Sequence, residues 1–181
     1  MANDRTLIRG LKRGDRSALE AVYREHKDRL LTLAAGLLPD RSAAEDCLQD
    51  VFLKLARDSA SLGVRTNLTS YLSSCVLNRA RDELRKGGRQ APGGADMLEE
   101  QGDPAANPGE QVEERDEAFR IRRALARLPR EQREAVVLHL QDGMTFRRIA
   151  DLQSVSGNTA ASRYRYGLRK LQQLLDRREE P

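Results

Sequence analysis

Hydrophobic residues in the first 57 positions recur every three or four residues, which is the spacing of one face of an α-helix. The first stripe consists of Leu19, Val22, Tyr23, His26, Leu30, Leu33, Ala34 and Leu37. The segment Ser17–Glu20 is a capping signal at its start, and Pro39 marks its end. The segment Ser42–Glu45 repeats the signal before a second stripe, which consists of Ala44, Leu48, Val51 and Leu55. The pattern predicts two amphipathic helices, the second reaching about Arg57.

Three polar residues of the second predicted helix, Asp46, Gln49 and Asp50, lie off its apolar stripe. They are compatible with a solvated surface that compensates the helix dipole, or with a docking face for a basic partner. Composition alone favours the solvated surface.

A third segment, residues 66–78, contains no charged residue but many hydroxyl and amide groups (TNLTSYLSSCVLN). A cluster of cations follows it: Arg79, Arg81, Arg85, Lys86 and Arg89. Neutral donors can contact bases or sugars while such cations hold phosphates, so this segment is a candidate nucleic-acid surface. Tyr71 fits either a core position or a stacking platform for a base.

The last 70 residues predict a helix-turn-helix. A stripe of Ala118, Ile121, Leu125 and Leu128 ends at Pro129, and the next helix carries Ala135, Val136, Val137 and Leu140. Asp142-Gly143 stops that helix, Thr145 caps a short one, and Ser156 caps a long last helix after a turn at Ser154. In this arrangement the start of the last helix enters the major groove, where short polar groups and Arg contact bases and phosphates.

Charge divides the chain into three blocks. Residues 1–86 and 115–181 are basic, with net charges of +4 and +6, whereas residues 87–114 carry −6 and hold six of the 13 glycines. Glycine, proline and like charge prevent a helix or a core there, so we predict a flexible acidic linker. The simpler interpretation is that this linker tethers the two domains. The other is that its negative charge competes with nucleic acid for a basic surface. The expected fold is all-α, with domains at 1–88 and 113–177 and the linker at 89–112.

Several classes of function are excluded by composition. No apolar stretch approaches the ~18 residues of a membrane helix, and no signal peptide is evident, so we expect a cytoplasmic protein without membrane contact. Cys47 and Cys75 are isolated, and His26 and His139 lie in amphipathic patterns. We therefore expect no disulfide, no metal site, no cofactor and no catalytic residues, and hence no enzyme.

Both blocks together resemble the bacterial RNA polymerase sigma factors of the extracytoplasmic-function (ECF) type. The matching segments are 44–55 (AEDCLQDVFLKL), 70–86 (SYLSSCVLNRARDELRK) and 125–171. The resemblance implies a promoter-specificity subunit, whose partners are core RNA polymerase and promoter DNA, with an anti-sigma factor as a further candidate partner.

Site residues follow from the same resemblance. It assigns core polymerase binding to Asp46, Gln49 and Asp50, which reverses the preference for a solvated surface. It assigns minus-ten DNA binding to Asn67, Tyr71, Asn78 and Arg79, where the stretch 63–67 borders a pocket for a flipped base. It assigns minus-thirty-five DNA binding to Asn158, Thr159, Ser162, Arg163 and Arg165.

The chain departs from the family pattern at four positions. Tyr71 stands where the family usually has Trp, Arg148 replaces a Glu, Ser154 replaces a turn Gly, and Ala161 replaces a basic residue.

Two other functions fit parts of the sequence. A stand-alone helix-turn-helix regulator would use the first block as a sensor or dimerisation bundle, and would bind duplex DNA tightly without polymerase. A small nucleic-acid-processing enzyme is the other alternative, and the lack of a phosphate loop, a metal set or a nucleophile triad places it last.

Overall fold

The computed structural model describes residues 4–63, 67–90 and 111–176. These residues form helices, which are α1 (Asp4–Lys12), α2 (Arg16–Leu37), α3 (Arg41–Asp58), a short 3-10 turn (Ser59–Ser61), α4 (Leu68–Gln90), α5 (Gln111–Ala126), α6 (Arg130–Leu140), α7 (Phe146–Gln153) and α8 (Gly157–Asp176). The predicted all-α fold is confirmed over the described residues. Most of the predicted linker, residues 91–110, lies outside them, as do residues 64–66.

The first half is a bundle built on α2. This helix packs against α1, α3 and α4. The predicted stripe of α3 is buried in full, and Cys47 and Phe52 join it. Helix α1, for which the sequence analysis made no prediction, closes the bundle with Leu7, Ile8 and Leu11.

Helices α6, α7 and α8 form the second half, the predicted helix-turn-helix. Helix α6 packs against both α7 and α8, and also against α2 of the first half. Contact on more than one side explains why four consecutive residues, 135–138 (AVVL), are all buried. One hydrophobic cluster contains residues of both halves, so the two halves pack directly against each other.

Two predicted caps are wrong by two residues. Asp15, not Ser17, caps α2 by accepting a 2.9 Å hydrogen bond from the Ser17 amide. Asp40, not Ser42, caps α3 by accepting a 2.8 Å hydrogen bond from the Ala43 amide. A carboxylate satisfies the free amides and also compensates the positive end of the helix dipole, which a hydroxyl does only in part.

Four residues assigned to apolar stripes are exposed. Tyr23, Ala118, Ile121 and Leu140 each face solvent. Periodicity identifies the apolar face of a helix, but that face is buried only where another helix packs against it. In the described structure, no neighbouring helix covers α5 at Ile121. Tyr23 keeps an edge-to-face contact with Phe52, with ring centroids 4.9 Å apart.

Candidate nucleic-acid interface

An acidic surface lies on the outer face of α3. Asp46, Gln49 and Asp50 are all exposed, on the side opposite the buried stripe. Their spacing of three and four residues places them on one face of the helix. The structure therefore brings together the three side chains that the sequence assigns to polymerase binding.

Arg79 of α4 joins this acidic surface. Its Nε donates to Asp50 Oδ2 at 2.7 Å, and its Nη1 donates to Glu83 Oε2 at 2.7 Å. Hydrogen bonds to Glu83 and Asp50 raise the pKa of Arg79. The guanidinium is thus held between two carboxylates, and it orients the Asp50 side chain on the acidic surface.

Three of the four residues assigned to minus-ten DNA, Asn67, Tyr71 and Asn78, lie along one side of α4, whereas Arg79 faces the acidic surface. Asn67 caps the helix by accepting a 2.7 Å hydrogen bond from the Ser70 amide. Tyr71 and Asn78 are seven residues apart, close to two helical turns, so they share a face. Asn78 is exposed and Tyr71 is half-buried. Burial, together with Cys75, raises the pKa of Tyr71 to about 12, so its hydroxyl stays neutral and remains a hydrogen-bond donor.

The helix-turn-helix is held by an aromatic cluster and two polar caps. The His139 ring lies 4.4 Å from Phe146 and 4.7 Å from Tyr164, which joins α6, α7 and α8. His139 is therefore structural, as predicted. Thr145 caps α7, and the Ser156 hydroxyl accepts a 3.1 Å hydrogen bond from the Thr159 amide at the start of α8. Both caps are the predicted ones.

The turn between α7 and α8 passes through a left-handed residue. Ser154 has φ 53° and ψ 45°, a conformation that favours glycine. This conformation is the physical reason for a turn glycine at this position, and the chain carries a serine there instead.

Helix α8 presents the residues assigned to minus-thirty-five DNA. Asn158, Thr159 and Arg165 are exposed, whereas Ser162 and Arg163 are half-buried. Arg163 donates to Gln153 Oε1 at 2.9 Å, and Arg165 donates to the Ser162 hydroxyl at 3.2 Å. Tyr166 is exposed on the same helix, and its ring centroid lies 6.0 Å from Cζ of Arg169. This aromatic residue was not predicted as part of the site, because it falls outside the apolar period of α8.

Two buried carboxylates were also missed. Asp142, interpreted only as a helix stop, pairs with Arg29 at 2.5 Å. Glu134 pairs with Arg81 at 2.6 Å. Burial raises the pKa of Asp142, while the Ser73 hydrogen bond and the Arg29 charge act in the opposite direction. The sequence offers one signal, which is that Glu134 directly precedes the apolar run 135–138 of α6.

Burial disfavours the thiolate form of both cysteines. Cys47 and Cys75 are free, and burial raises the pKa of Cys47 to about 11 and that of Cys75 above its usual value. Within the described residues, no group of three or more His, Cys, Asp or Glu could hold a metal ion. No described helix is long and apolar enough to cross a membrane.

Comparison with known proteins matches both halves of the chain. Residues 22–90 match the Sigma-70 region 2 family, and residues 118–171 match the Sigma-70, region 4 family. The ECF RNA polymerase sigma factor SigM of Mycobacterium tuberculosis (strain ATCC 25618 / H37Rv) is 32% identical over 173 residues, which cover 96% of this chain and 85% of SigM. This chain belongs to the ECF RNA polymerase sigma factors. The RNA polymerase sigma factor CarQ of Myxococcus xanthus is 29% identical, with 90% and 91% of the two chains covered.

Two solved structures share the fold. CnrH, solved in complex with the cytosolic domain of CnrY, superposes with a TM-score of 0.69 at 21% identity over 96% of this chain and 97% of that chain. The sigma factor RpoE of Bartonella quintana, solved with the anti-sigma factor NepR, gives a TM-score of 0.66 at 25% identity over 87% and 98%.

As a member of this family, the protein is a promoter-specificity subunit of RNA polymerase. Sigma factors fill this role without catalysing a reaction of their own. The predicted resemblance is confirmed. The stand-alone regulator is not retained, because the first half matches sigma region 2 over residues 22–90.

Proposed function

We propose that this ECF sigma factor docks on core RNA polymerase through the acidic surface of α3 and contacts promoter DNA through α4 and α8. The observation that carries the proposal is the exposed set Asp46, Gln49 and Asp50, which lies within the sigma region 2 match and is backed by Arg79. Such a fixed acidic face suits a basic partner surface. The ranges 1–88 and 113–177 are the proposed functional units.

The proposed minus-ten contacts are Asn67, which caps α4, and the α4 side chains Tyr71, Asn78 and Arg79. An amide reads the edge of an unpaired base, and a tyrosine ring offers a stacking surface; together they substitute for base pairs lost on strand opening. Arg79 lies one residue after Asn78, so it borders both the DNA-facing side and the acidic surface.

The α8 residues Asn158, Thr159, Ser162, Arg163 and Arg165 are the proposed minus-thirty-five contacts. The exposed side chains at the start of the helix match the part of a recognition helix that reads base edges. Arg163 must exchange its hydrogen bond to Gln153 for a DNA contact.

The proposed partners are core polymerase, promoter DNA and an anti-sigma factor. The last is supported by RpoE, a similar sigma factor solved with NepR. We propose that the protein works in the cytoplasm, where polymerase and promoter DNA are found, and that it uses neither a cofactor nor a catalytic residue.

Charge reversal on α3 tests the proposed polymerase contact. Asp46→Lys combined with Asp50→Lys places two cations where two acids would face a basic surface, so co-elution with core polymerase should fall at least tenfold. Both positions are exposed and lie off the buried stripe, so folding should persist.

The matched control is Glu20→Lys, which reverses an exposed charge on α2. It should co-elute like the wild type. Equal co-elution of the double variant and the wild type, with helical circular dichroism unchanged, would contradict the assignment of α3 as the polymerase contact.

A further inference from the structure

The first turn of α4 is held partly by a residue of α1. The Oδ2 atom of Asp4 accepts a 3.0 Å hydrogen bond from the Leu68 amide, which lies 64 residues away in the sequence. Asn67 is the local cap, because its Oδ1 accepts a 2.7 Å hydrogen bond from the Ser70 amide. The first amides of a helix have no partner within that helix. The start of α4 therefore takes two acceptors from side chains, and one of them belongs to a different helix.

The backbone hydrogen bond in the same turn is long. The Tyr71 amide donates to the Asn67 carbonyl at 3.3 Å, whereas the corresponding bonds that begin α7 and α8 are 3.0 Å long. Hydrogen bonds weaken as the distance between donor and acceptor grows. Asn67 and Tyr71 are both proposed minus-ten contacts, so the two side-chain acceptors hold the turn that positions them.

Helix α1 is fixed in the bundle at several points. Its apolar side chains are buried. The helix approaches α2 so closely at Gly10 that a Cβ there would lie 2.6 Å from Cβ of Ala18. It also packs against the 3-10 turn at Ser59–Ser61. Helix α1 therefore contacts the chain shortly before α4 and again, through Asp4, at the first residue of α4.

The charge of Asp4 also needs a physical reason. A carboxylate beside a proposed DNA contact repels phosphates and therefore weakens DNA binding. Asp4 is the first residue of α1 and bonds to the first amide of α4. The start of a helix carries a partial positive charge, so two helix ends stabilise this carboxylate. The position thus suits an acid that acts within the protein.

We propose that Asp4 is a positioning residue for minus-ten recognition, which fixes the first turn of α4 and thereby the side chains of Asn67 and Tyr71. The inference rests on the proposed function, since it concerns the same contacts. Capping uses Oδ1 of Asn67, so Nδ2 is the donor that can meet an unpaired base. A side chain that is already ordered binds more tightly, because no conformational entropy is lost when the base arrives.

Removing the acceptor tests this role. In the complex with core polymerase, Asp4→Ala should reduce the permanganate reactivity of unpaired thymines about fivefold, because loss of a cap acceptor shifts the equilibrium at a helix start by about that factor. Co-elution with core polymerase and closed duplex binding should be unchanged, since neither the acidic surface of α3 nor the start of α8 depends on this cap. Asp4 is half-buried, so the variant should fold.

A conservative variant shows whether the hydrogen bond is the cause. Asp4→Asn keeps an oxygen acceptor at the same distance along the side chain. Strand opening by this variant should therefore return to the wild-type level. A role of the negative charge alone would leave Asp4→Asn as impaired as Asp4→Ala.

The matched control is Asp15→Ala, which removes a cap of the same type from α2. Asp15 accepts a 2.9 Å hydrogen bond from the Ser17 amide. Its loss should lower the melting temperature about as much as Asp4→Ala does and should leave strand opening unchanged. A purely structural effect would instead follow the melting temperature in both variants.

The outcomes separate the two proposals. Wild-type opening by Asp4→Ala would overturn the positioning role, and so would an equal loss of opening in Asp4→Asn or in Asp15→Ala. A parallel loss of opening and of polymerase co-elution in Asp4→Ala would overturn it as well. Absence of reactive thymines with the wild type and core polymerase would instead overturn the proposed function itself.

Discussion

At the residue scale, the turn of the helix-turn-helix holds two serines in opposite situations. Ser154 has a positive φ, whereas Ser156 has a hydroxyl that caps α8. A non-glycine residue in the left-handed region destabilises the folded state by about 1–2 kcal/mol. Replacing it with glycine removes this strain, but part of the gain is lost because glycine raises the conformational entropy of the unfolded chain.

Substitutions at these serines should therefore have opposite signs. Ser154→Gly should raise the free energy of unfolding by roughly 0.5–1 kcal/mol. Ser156→Ala should lower it by about 1 kcal/mol, because the Thr159 amide loses its acceptor. Urea unfolding followed by circular dichroism measures both. A loss of stability for Ser154→Gly would contradict the assigned strain.

His26 predicts a pH dependence of stability. Burial lowers its pKa below the usual 6.5, and within the described structure its Nε2 has no hydrogen-bond partner. The unfolded chain therefore takes up a proton before the folded one, so stability should fall as the pH drops below about 6.5.

Replacing the imidazole tests this dependence. His26→Leu should show a flatter dependence of melting temperature on pH between 7 and 5 than the wild type. The difference between the two proteins isolates His26, since carboxylates such as Asp142 titrate in both. Parallel curves would show that His26 does not titrate with a lowered pKa.

At the element scale, helix existence could be predicted well from the sequence, and helix environment only in part. Periodicity located the stripes of α2 and α3, because both helices bury one face against the same bundle. It misplaced Ile121 and Leu140, because their exposure depends on which helix lies opposite. The candidate site depended on the family resemblance, since exposed polar residues such as Asn78 have no periodic signature.

Helices α4 and α8 should act at different steps of initiation. In the complex with core polymerase, Asn78→Ala should reduce strand opening about tenfold with little effect on closed binding, because the amide is proposed to meet an unpaired base. Arg165→Ala should weaken upstream duplex contact and its salt dependence. Both side chains are exposed, so the folds should be unaffected.

Permanganate reactivity of unpaired thymines, measured beside a duplex-binding assay, separates these effects. If Asn78→Ala lowers closed binding as much as opening, α4 is not the strand-opening element.

At the scale of the whole molecule, the contact between the halves was beyond sequence reasoning. The partners Arg29 and Asp142 are 113 residues apart, and Arg81 and Glu134 are 53 apart. No helical period connects such positions, and the sequence pattern at Asp142 indicated only a helix stop. The charge blocks indicated two basic halves and an acidic middle, but net charge does not show which side chains form ion pairs.

The most direct measurement of the central claim is promoter opening by the purified wild-type protein with and without core polymerase. We expect permanganate-reactive thymines near the minus-ten element only when both proteins are present, and weak duplex binding by the sigma factor alone. Tight duplex binding by the isolated protein, with no strand opening on addition of core polymerase, would contradict it.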